Sequence, residues 1–151
     1  MHSRHPHDDC HPDVLAFHEY WDGKRGGREM PSRVDIDPIE MKRFLPGIML
    51  IDVVDDARRY VYRLVGTREV SVRGNDPTGK SIFEGFFGPS LEAAMSLPDQ
   101  VVTTRAPLFL QRTFTAPDGR PGDEEFVMLP LSEDGRTVNM IVAYTHHRLF
   151  D

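Results

Sequence analysis

The segment Gly74 to Ser81, GNDPTGKS, has the residue types and spacing that most directly suggest a chemical role. It satisfies the pattern G-x-x-x-x-G-K-[ST], in which backbone amides and a lysine, here Lys80, bind the phosphates of a nucleotide. A phosphate loop lies directly between a buried strand and a long helix, whereas this segment follows polar residues and precedes SIFEGFFGP. Asp76 would also place a carboxylate among the phosphates. Nucleotide binding is therefore the last of three hypotheses, and its test is loss of nucleotide-dependent stabilisation in Lys80→Ala.

The first twelve residues, MHSRHPHDDCHP, carry four histidines, two aspartates and the only cysteine. A transition metal accepts such ligands, but their spacing is irregular, and Pro6 and Pro12 interrupt any helix that could hold them on one face. We interpret residues 1–12 as a disordered leader, because polar terminal segments usually lack order. Adventitious nickel or zinc binding by the leader stays open, and no metal site is predicted.

Catalytic residues form no recognisable constellation. No serine or cysteine lies in a nucleophile turn beside a base, and no HExxH spacing is present. The acid pairs Asp55–Asp56 and Glu124–Glu125 flank turns, and we interpret them as solvated surface. An enzyme, such as a small α+β hydrolase or isomerase, would need Arg63 to converge with Asp76 or His146 in one cleft. Under that second hypothesis, Arg63→Ala abolishes turnover without unfolding the protein.

Length and composition favour one soluble domain over residues 13–151. The chain has 151 residues, of which 39% are hydrophobic, and its mean hydropathy is -0.42. No window approaches the roughly 18 consecutive apolar residues of a membrane span, and the N-terminus lacks the apolar segment of a signal peptide. The net charge of -6 argues against nucleic acid as the main partner. These observations predict a cytoplasmic protein without nucleic-acid or membrane partners.

Capping residues and apolar periodicity predict the helices. The predictions are a helix from Val14 to Trp21 capped by Asp13, a helix from Asp37 to about Phe44, a short helix from Thr67 to Arg73, and a helix from Leu91 to Leu97 capped by Ser90. Pro98 is predicted to interrupt this last helix before it resumes from Asp99 to Arg105.

Runs of β-branched and aromatic residues between turn signals predict five strands. These are Gly47 to Val54, Tyr60 to Val65, Pro107 to Thr115, Glu125 to Leu131 and Arg136 to His146. The first two form a hairpin and the last three a meander, with the short helices between them. The alternation within the second strand does not settle which face carries Arg63.

Several phrases in this order resemble a known family. They are YW at Tyr20 and Trp21, DIDP at Asp35 to Pro38, FLPGIMLIDV at Phe44 to Val53, YRLVGT at Tyr62 to Thr67, the turn Gly79, Lys80, Ser81 and Phe83, and LPLSEDG at Leu129 to Gly135. Together they resemble the bacterial family of small stand-alone PAS proteins formerly grouped as a domain of unknown function. The resemblance covers about Val14 to Thr145. It implies an α+β fold: a five-stranded antiparallel sheet with helices on one face and an extra N-terminal helix.

The resemblance also implies a pocket between the sheet and the helical turns. The predicted lining is Tyr62, Phe83, Met95, Leu110, Met128 and Met140, with Arg63 or Gln111 at a polar end. The alternative is that these side chains simply fill a closed core. A flavin adduct would require a cysteine after the helical turns and a haem a histidine in Leu91 to Arg105, and the sequence has neither. A small organic ligand is therefore expected instead of a flavin or haem cofactor.

The first hypothesis is accordingly a sensor or adaptor that passes its state to other proteins. The resemblance implies a homodimer and a signalling partner such as a histidine kinase. The chain ends six residues after Thr145, so we expect the signal to leave through surface contacts. The aromatic N-terminal helix and the outer sheet face are the predicted contact surfaces.

Overall fold

A computed structural model describes residues 10–150, which fold as a helix, two strands, three helices and three strands. The α-helices are α1 (Pro12–Arg25), α2 (Thr67–Arg73), α3 (Ile82–Gly85) and α4 (Leu91–Thr104). The strands are β1 (Ile48–Val53), β2 (Tyr60–Val65), β3 (Leu108–Thr115), β4 (Pro121–Leu131) and β5 (Met140–Leu149). Two short 3₁₀ helices, Arg33–Asp35 and Lys42–Gly47, lie between α1 and β1.

The strands form one antiparallel sheet in the order β2-β1-β5-β4-β3. β1 and β2 form a hairpin, β3, β4 and β5 form a meander, and β1 joins the two parts by pairing with β5. β5 is therefore the central strand, and its residues Met140 to Thr145 are all buried. The predicted α+β fold with a five-stranded antiparallel sheet is confirmed.

The helix α1 packs on one face of this sheet. Val14, Phe17 and Trp21 are buried, and the Phe17 ring lies 5.7 Å from the ring of Tyr144 on β5. The indole nitrogen of Trp21 donates to the Pro130 carbonyl oxygen at 3.0 Å. The apolar face of α1 is thus buried against its own sheet, while α2, α3 and α4 lie over the opposite face.

The helix α1 is longer than predicted at both ends. His11 is its N-cap residue, and Pro12 takes the first helical position, where a missing N–H costs nothing. Residues 10–12 of the predicted leader therefore belong to the described part of the chain, and residues 1–9 lie outside it.

The predicted helix from Asp37 to Phe44 is wrong. Asp37 accepts a hydrogen bond from the Ile39 amide, as a cap would, but the chain makes turns and then the 3₁₀ helix Lys42–Gly47. Ile39 is exposed, and the buried side chains Met41 and Phe44 are already packed by the turns and the 3₁₀ helix.

The helix α4 runs through Pro98 without interruption. Met95, Pro98 and Val101 are all buried and lie on one stripe of the helix. Their packing offsets the hydrogen bond that proline cannot make. The predicted cap is confirmed, since the Ser90 hydroxyl accepts from the Ala93 amide at 3.1 Å.

The last two strands differ from their predicted bounds because of the turns that precede them. β4 begins at Pro121, since a tight turn closed by the Ala116 amide and the Arg120 carbonyl ends before it. β5 begins at Met140 rather than Arg136, because Asp134 accepts from the amides of Arg136 and Thr137 and holds them in a turn.

Among the described residues, no helix is long and apolar enough to cross a membrane.

Candidate functional site

A cavity of about 40 Å³ lies between the sheet and the helices α2, α3 and α4. Its apolar wall includes Met49, Ile51, Tyr62, Phe87, Phe126 and Met128. Its polar wall consists of Glu69, Arg73, Arg112, Glu124 and Thr145. The space is comparable with that of one or two water molecules.

Four charged or titratable residues behind and along the polar wall form the buried acid–histidine cluster: Glu69, Arg112, Glu124 and His147. Arg112, Glu124 and His147 are direct neighbours across β3, β4 and β5. The Arg112 guanidinium donates to Glu124. His147 Nε2 lies 3.2 Å from Glu124 Oε2 and 3.3 Å from Glu69 Oε2. The strand register thus aligns three of the side chains, and α2 contributes the fourth.

The position of α2 depends on close backbone approach at its N-cap, Gly66. A Cβ at Gly66 would lie 2.3 Å from the Leu45 carbonyl oxygen, so only glycine fits there. The Gly66 amide donates to the Ile48 carbonyl oxygen at 2.7 Å. α2 is therefore fixed beside β1, and its first turn directs Glu69 towards β5.

Arg73, in the last turn of α2, closes the cavity from the helical side. Its guanidinium lies 5.0 Å from the Tyr62 ring centroid and 5.6 Å from that of Phe87. It donates to the Gly85 carbonyl oxygen at 3.0 Å, which ties α2 to α3. Arg73 therefore links the elements that would have to separate if the cavity opened.

The pKa values of the two carboxyl groups of the cluster shift in opposite directions, although each residue has an exposed fraction of only 3%. Burial raises the pKa of Glu69 above its usual value, against the opposing charges of His147 and Arg73. Burial acts on Glu124 in the same sense, but its contacts with His147 and Arg112 outweigh it and lower the pKa of Glu124. The two buried carboxyl groups of the cluster therefore differ in the direction of their pKa shifts, upward for Glu69 and downward for Glu124.

Three buried atoms of the cluster have no hydrogen-bond partner among residues 10–150. They are Glu69 Oε2, His147 Nδ1 and His147 Nε2. The Nε2 atom lies within 3.3 Å of both carboxyl groups but without hydrogen-bond geometry. An unsatisfied buried polar group costs about 1–3 kcal/mol. A polar molecule in the cavity would reduce this cost at Glu69, which lines it.

Of the eight residues predicted to form the pocket, Tyr62 and Met128 line the cavity. Met95 and Met140 are buried, and Leu110 is half-buried against the core, but none of the three lines the cavity. Phe83 on α3 is 44% exposed. The cavity therefore shares two of the eight predicted residues, and Glu69 and Arg73 of α2 take part in its lining.

The two predicted polar residues point away from the cavity. The register of β1 and β2 shifts so that Leu50 faces Leu64 and Ile51 faces Tyr62, which leaves Arg63 at the irregularity. Arg63 is 63% exposed and pairs with Asp52 at 2.9 Å. Gln111 is exposed because neighbouring strand residues point to opposite faces, and its neighbour Arg112 faces the cavity.

The polar wall was not identified from the sequence. The interpretation of Glu124 as solvated surface beside a turn is wrong, because β4 already includes Glu124 and buries its side chain. One signal was available in the spacing. Glu124 lies two and four residues from Phe126 and Met128, and Arg112 lies two residues from Leu110, so each charged residue shares a strand face with apolar residues. Strand alternation therefore places both charged residues on the inward face.

The other proposed arrangements do not form. Within GNDPTGKS the Gly79 amide donates to the Tyr62 carbonyl, and α3, which follows, has only four residues. Asp76 accepts from Thr78 in an exposed turn, and His146 stacks on His11. Arg63 pairs with Asp52 and meets neither of these groups, so the contacts of the described residues give no support to a cleft around Arg63.

Three solved structures illustrate the proteins whose fold is similar to that of this chain. The VqmA–ligand–DNA complex of Vibrio cholera matches with a TM-score of 0.55 and 17% identity, over 72% of this chain and 49% of that one. The PAS domain of the fruit-fly ELK potassium channel gives a TM-score of 0.54 at 14% identity, over 79% and 98%. The LOV domain of the blue-light activated histidine kinase EL346 of Erythrobacter litoralis gives 0.51 at 10%, over 68% and 95%.

At these identities the likeness shows the fold alone, and the chain spans about half the length of VqmA. No curated protein matches the sequence. A family model described as PAS domain, however, matches residues 10–144, which is most of the chain. The protein therefore belongs to the PAS domain family, whose members are generally sensory and non-enzymatic modules.

Proposed function

We propose that this protein is a sensory domain that binds a small organic molecule in the cavity between the sheet and the helices α2, α3 and α4. The observation that carries the proposal is the pairing of an apolar wall with buried polar atoms that lack hydrogen-bond partners, foremost Glu69 Oε2. Ligand pockets typically combine an apolar lining with a few placed polar groups.

The polar wall selects the ligand head group. Glu69 offers a carboxyl that accepts, or donates when protonated, and Arg73 and Arg112 offer donors. The wall contains two acids and two arginines, of which Arg112 is already paired with Glu124, so its formal charges balance. An uncharged head with both donors and acceptors, attached to a small apolar body that contacts Met49 and Phe126, satisfies both walls.

The size of the cavity couples binding to a movement of the helices. At about 40 Å³ it holds no more than small polar molecules. An organic ligand must displace side chains such as Arg73 and Phe87, and Arg73 is hydrogen-bonded to Gly85, the last residue of α3. Occupancy therefore changes how α2 and α3 pack together, which is the change a partner can read.

The proposal extends to the relay, in which a cytoplasmic homodimer passes the occupied state to a signalling protein such as a histidine kinase. A contact surface between α1 and β1 is supported by two exposed apolar side chains in that segment. Val34 is 88% exposed and Ile39 is 82% exposed. Among proteins of this fold, EL346 is itself a histidine kinase and VqmA is a receptor solved with a ligand and DNA.

Native mass spectrometry of protein purified without added ligand tests the binding proposal, followed by denaturing extraction of any small molecule. We expect a retained organic molecule at one per chain. If the mass is that of the bare chain, thermal-shift screening of small neutral organics in the protein follows. The absence of any saturable stabilisation in that screen would contradict the proposal.

A matched pair of variants on α4 assigns binding to the cavity. Ala94 lines the cavity, whereas its neighbour Ala93 does not, and both are half-buried. Ala94→Met should fill the space and abolish retention of the molecule, while Ala93→Met should retain it. Retention in both variants would place the bound molecule elsewhere.

A further inference from the structure

A second group of possible ligand residues lies on the opposite face of the sheet from the cavity. His11, Asp13 and His146 each offer one atom within 4.8 Å of the others. The imidazole rings of His11 and His146 are stacked, with centroids 3.6 Å apart and planes at 17°. Within residues 10–150 this is the one group of three such side chains that meets this distance.

The helix α1 holds the group together from two distant parts of the sequence. His11 caps α1 and Asp13 lies in its first turn, while His146 belongs to β5. The buried side chains of Phe17 and Trp21 fix α1 on the sheet. The helix α1 and the strand β5 therefore fix the backbone positions of the three residues beside one another.

We propose that His11, Asp13 and His146 bind a divalent transition metal ion, with Zn²⁺ as the best match. Two imidazoles and one carboxylate form a ligand set that zinc accepts, and they leave a fourth position of a tetrahedral site. Ligands around one zinc ion lie about 3.4 Å apart when the bonds are about 2.1 Å. The two rings are stacked nearly parallel, so their lone pairs converge on one ion only after the rings turn out of the stack, and the Asp13 carboxylate, 3.4 Å from Arg43 Nη2, must turn with them.

Metal binding exchanges one hydrogen bond of the helix cap. His11 Nδ1 now accepts from the Asp13 amide at 3.1 Å, and a neutral imidazole has a single lone pair to offer. The ion takes that lone pair, and the Asp13 amide loses its side-chain partner. The Asp13 amide resonance should therefore report directly on occupancy.

Glu125 supports the group from the neighbouring strand. It is the register partner of His146 across β4 and β5, and its Oε2 accepts from the His11 amide at 2.5 Å. This contact fixes the backbone of one ligand residue beside the other. Glu125 is therefore a positioning residue for the site and the nearest further oxygen donor by register.

A bound ion would join the start of α1 to the central strand of the sheet. It would give the protein a second input, separate from the cavity, that acts on the helix covering the outer face. This inference does not depend on the proposed ligand of the cavity.

Competition of Zn²⁺ with a chelating dye in the full chain tests the proposal. We expect one ion per chain and a weakening of more than about 100-fold in His146→Gln, since loss of an outer-shell partner alone costs about 10–100-fold. Asp13→Asn should also weaken binding, and it provides a second variant if His146→Gln does not fold. Co²⁺ should give visible absorption typical of tetrahedral coordination in the wild type, and this absorption should be lost in both variants.

The control separates the site from the histidine-rich start of the chain. His2, His5 and His7 replaced together by glutamine should leave the Zn²⁺ affinity within about threefold, because the proposed ligands are His11, Asp13 and His146. If this triple variant loses binding, or if His146→Gln and Asp13→Asn both retain it, the ion is bound adventitiously and the proposal is wrong.

Discussion

His146 and His147 are adjacent on β5, yet they belong to two different environments on opposite faces of the sheet. His147 lies among the carboxylates of Glu69 and Glu124 and next to the cavity, whereas His146 stacks on His11 at the start of α1. Because successive strand residues point to opposite faces, two neighbouring histidines can serve unrelated sites.

The two faces also differ in how they are packed. On the α1 face, Phe17, Phe44 and Tyr144 form edge and tilted ring contacts at 5.2–5.7 Å. On the other face the short helices leave a cavity and bury charged groups beside it. A tightly packed face stabilises the domain, and a face with a void and unsatisfied polar groups leaves capacity for a ligand.

The largest effect that distinguishes the faces is expected from adjacent residues of β4. Glu124→Gln removes the charge that pairs with Arg112 and should lower the free energy of unfolding by about 3 kcal/mol, because one partner of a buried ion pair is left uncompensated. This loss is at the low end of the roughly 3–5 kcal/mol typical of a broken buried ion pair, because the Arg112 side chain is 21% exposed. Urea unfolding at neutral pH measures the change.

Glu125→Gln is the matched control, since Glu125 points to the α1 face and glutamine can still accept from the His11 amide. It should cost less than about 1 kcal/mol. Equal losses in the two variants would mean that the cluster contributes no more to stability than a single hydrogen bond does.

An intermediate effect is expected at Glu69, and it should depend on pH. The pKa of Glu69 is raised above 4.5 in the folded protein by burial, so folding favours the protonated carboxyl. Its contribution to stability is therefore greatest below pH 4.5 and decreases as the pH rises through the raised value. Glu69→Gln removes this decrease and should be as stable as the wild type at low pH but more stable at pH 8.

Melting temperatures measured across this pH range test the sign. Glu133→Gln, in an exposed turn, is the control for replacing a glutamate that is not buried. The opposite result, in which Glu69→Gln loses stability relative to the wild type as the pH rises from 4 to 8, would show that the ionised carboxylate is net stabilising.

The smallest effect is expected at Arg63. Its pair with Asp52 is at the surface, where such pairs contribute little, so Arg63→Ala should change the free energy of unfolding by less than about 0.5 kcal/mol. Retention of the small molecule should also be unchanged. A loss of binding, measured by the same native mass spectrometry, would show that Arg63 contributes to the binding site and would contradict the cavity assignment.

The sequence by itself determined the elements whose signals are local. β2 and α2 have their predicted bounds, Tyr60–Val65 and Thr67–Arg73, because a β-branched run, a glycine and a helical turn follow one another without competing contacts. The Ser90 cap and the order of elements follow for the same reason. Tyr62 and Met128 were also among the predicted lining residues.

Only the tertiary structure decided which polar groups meet. The register irregularity opposite Leu50 and Ile51 turns Arg63 outward, and strand alternation alone could not reveal it. Glu69 meets His147, and His11 meets His146, across most of the chain length. Such contacts depend on strand order and helix placement, which arise from the burial of the whole core and from no local pattern of residues.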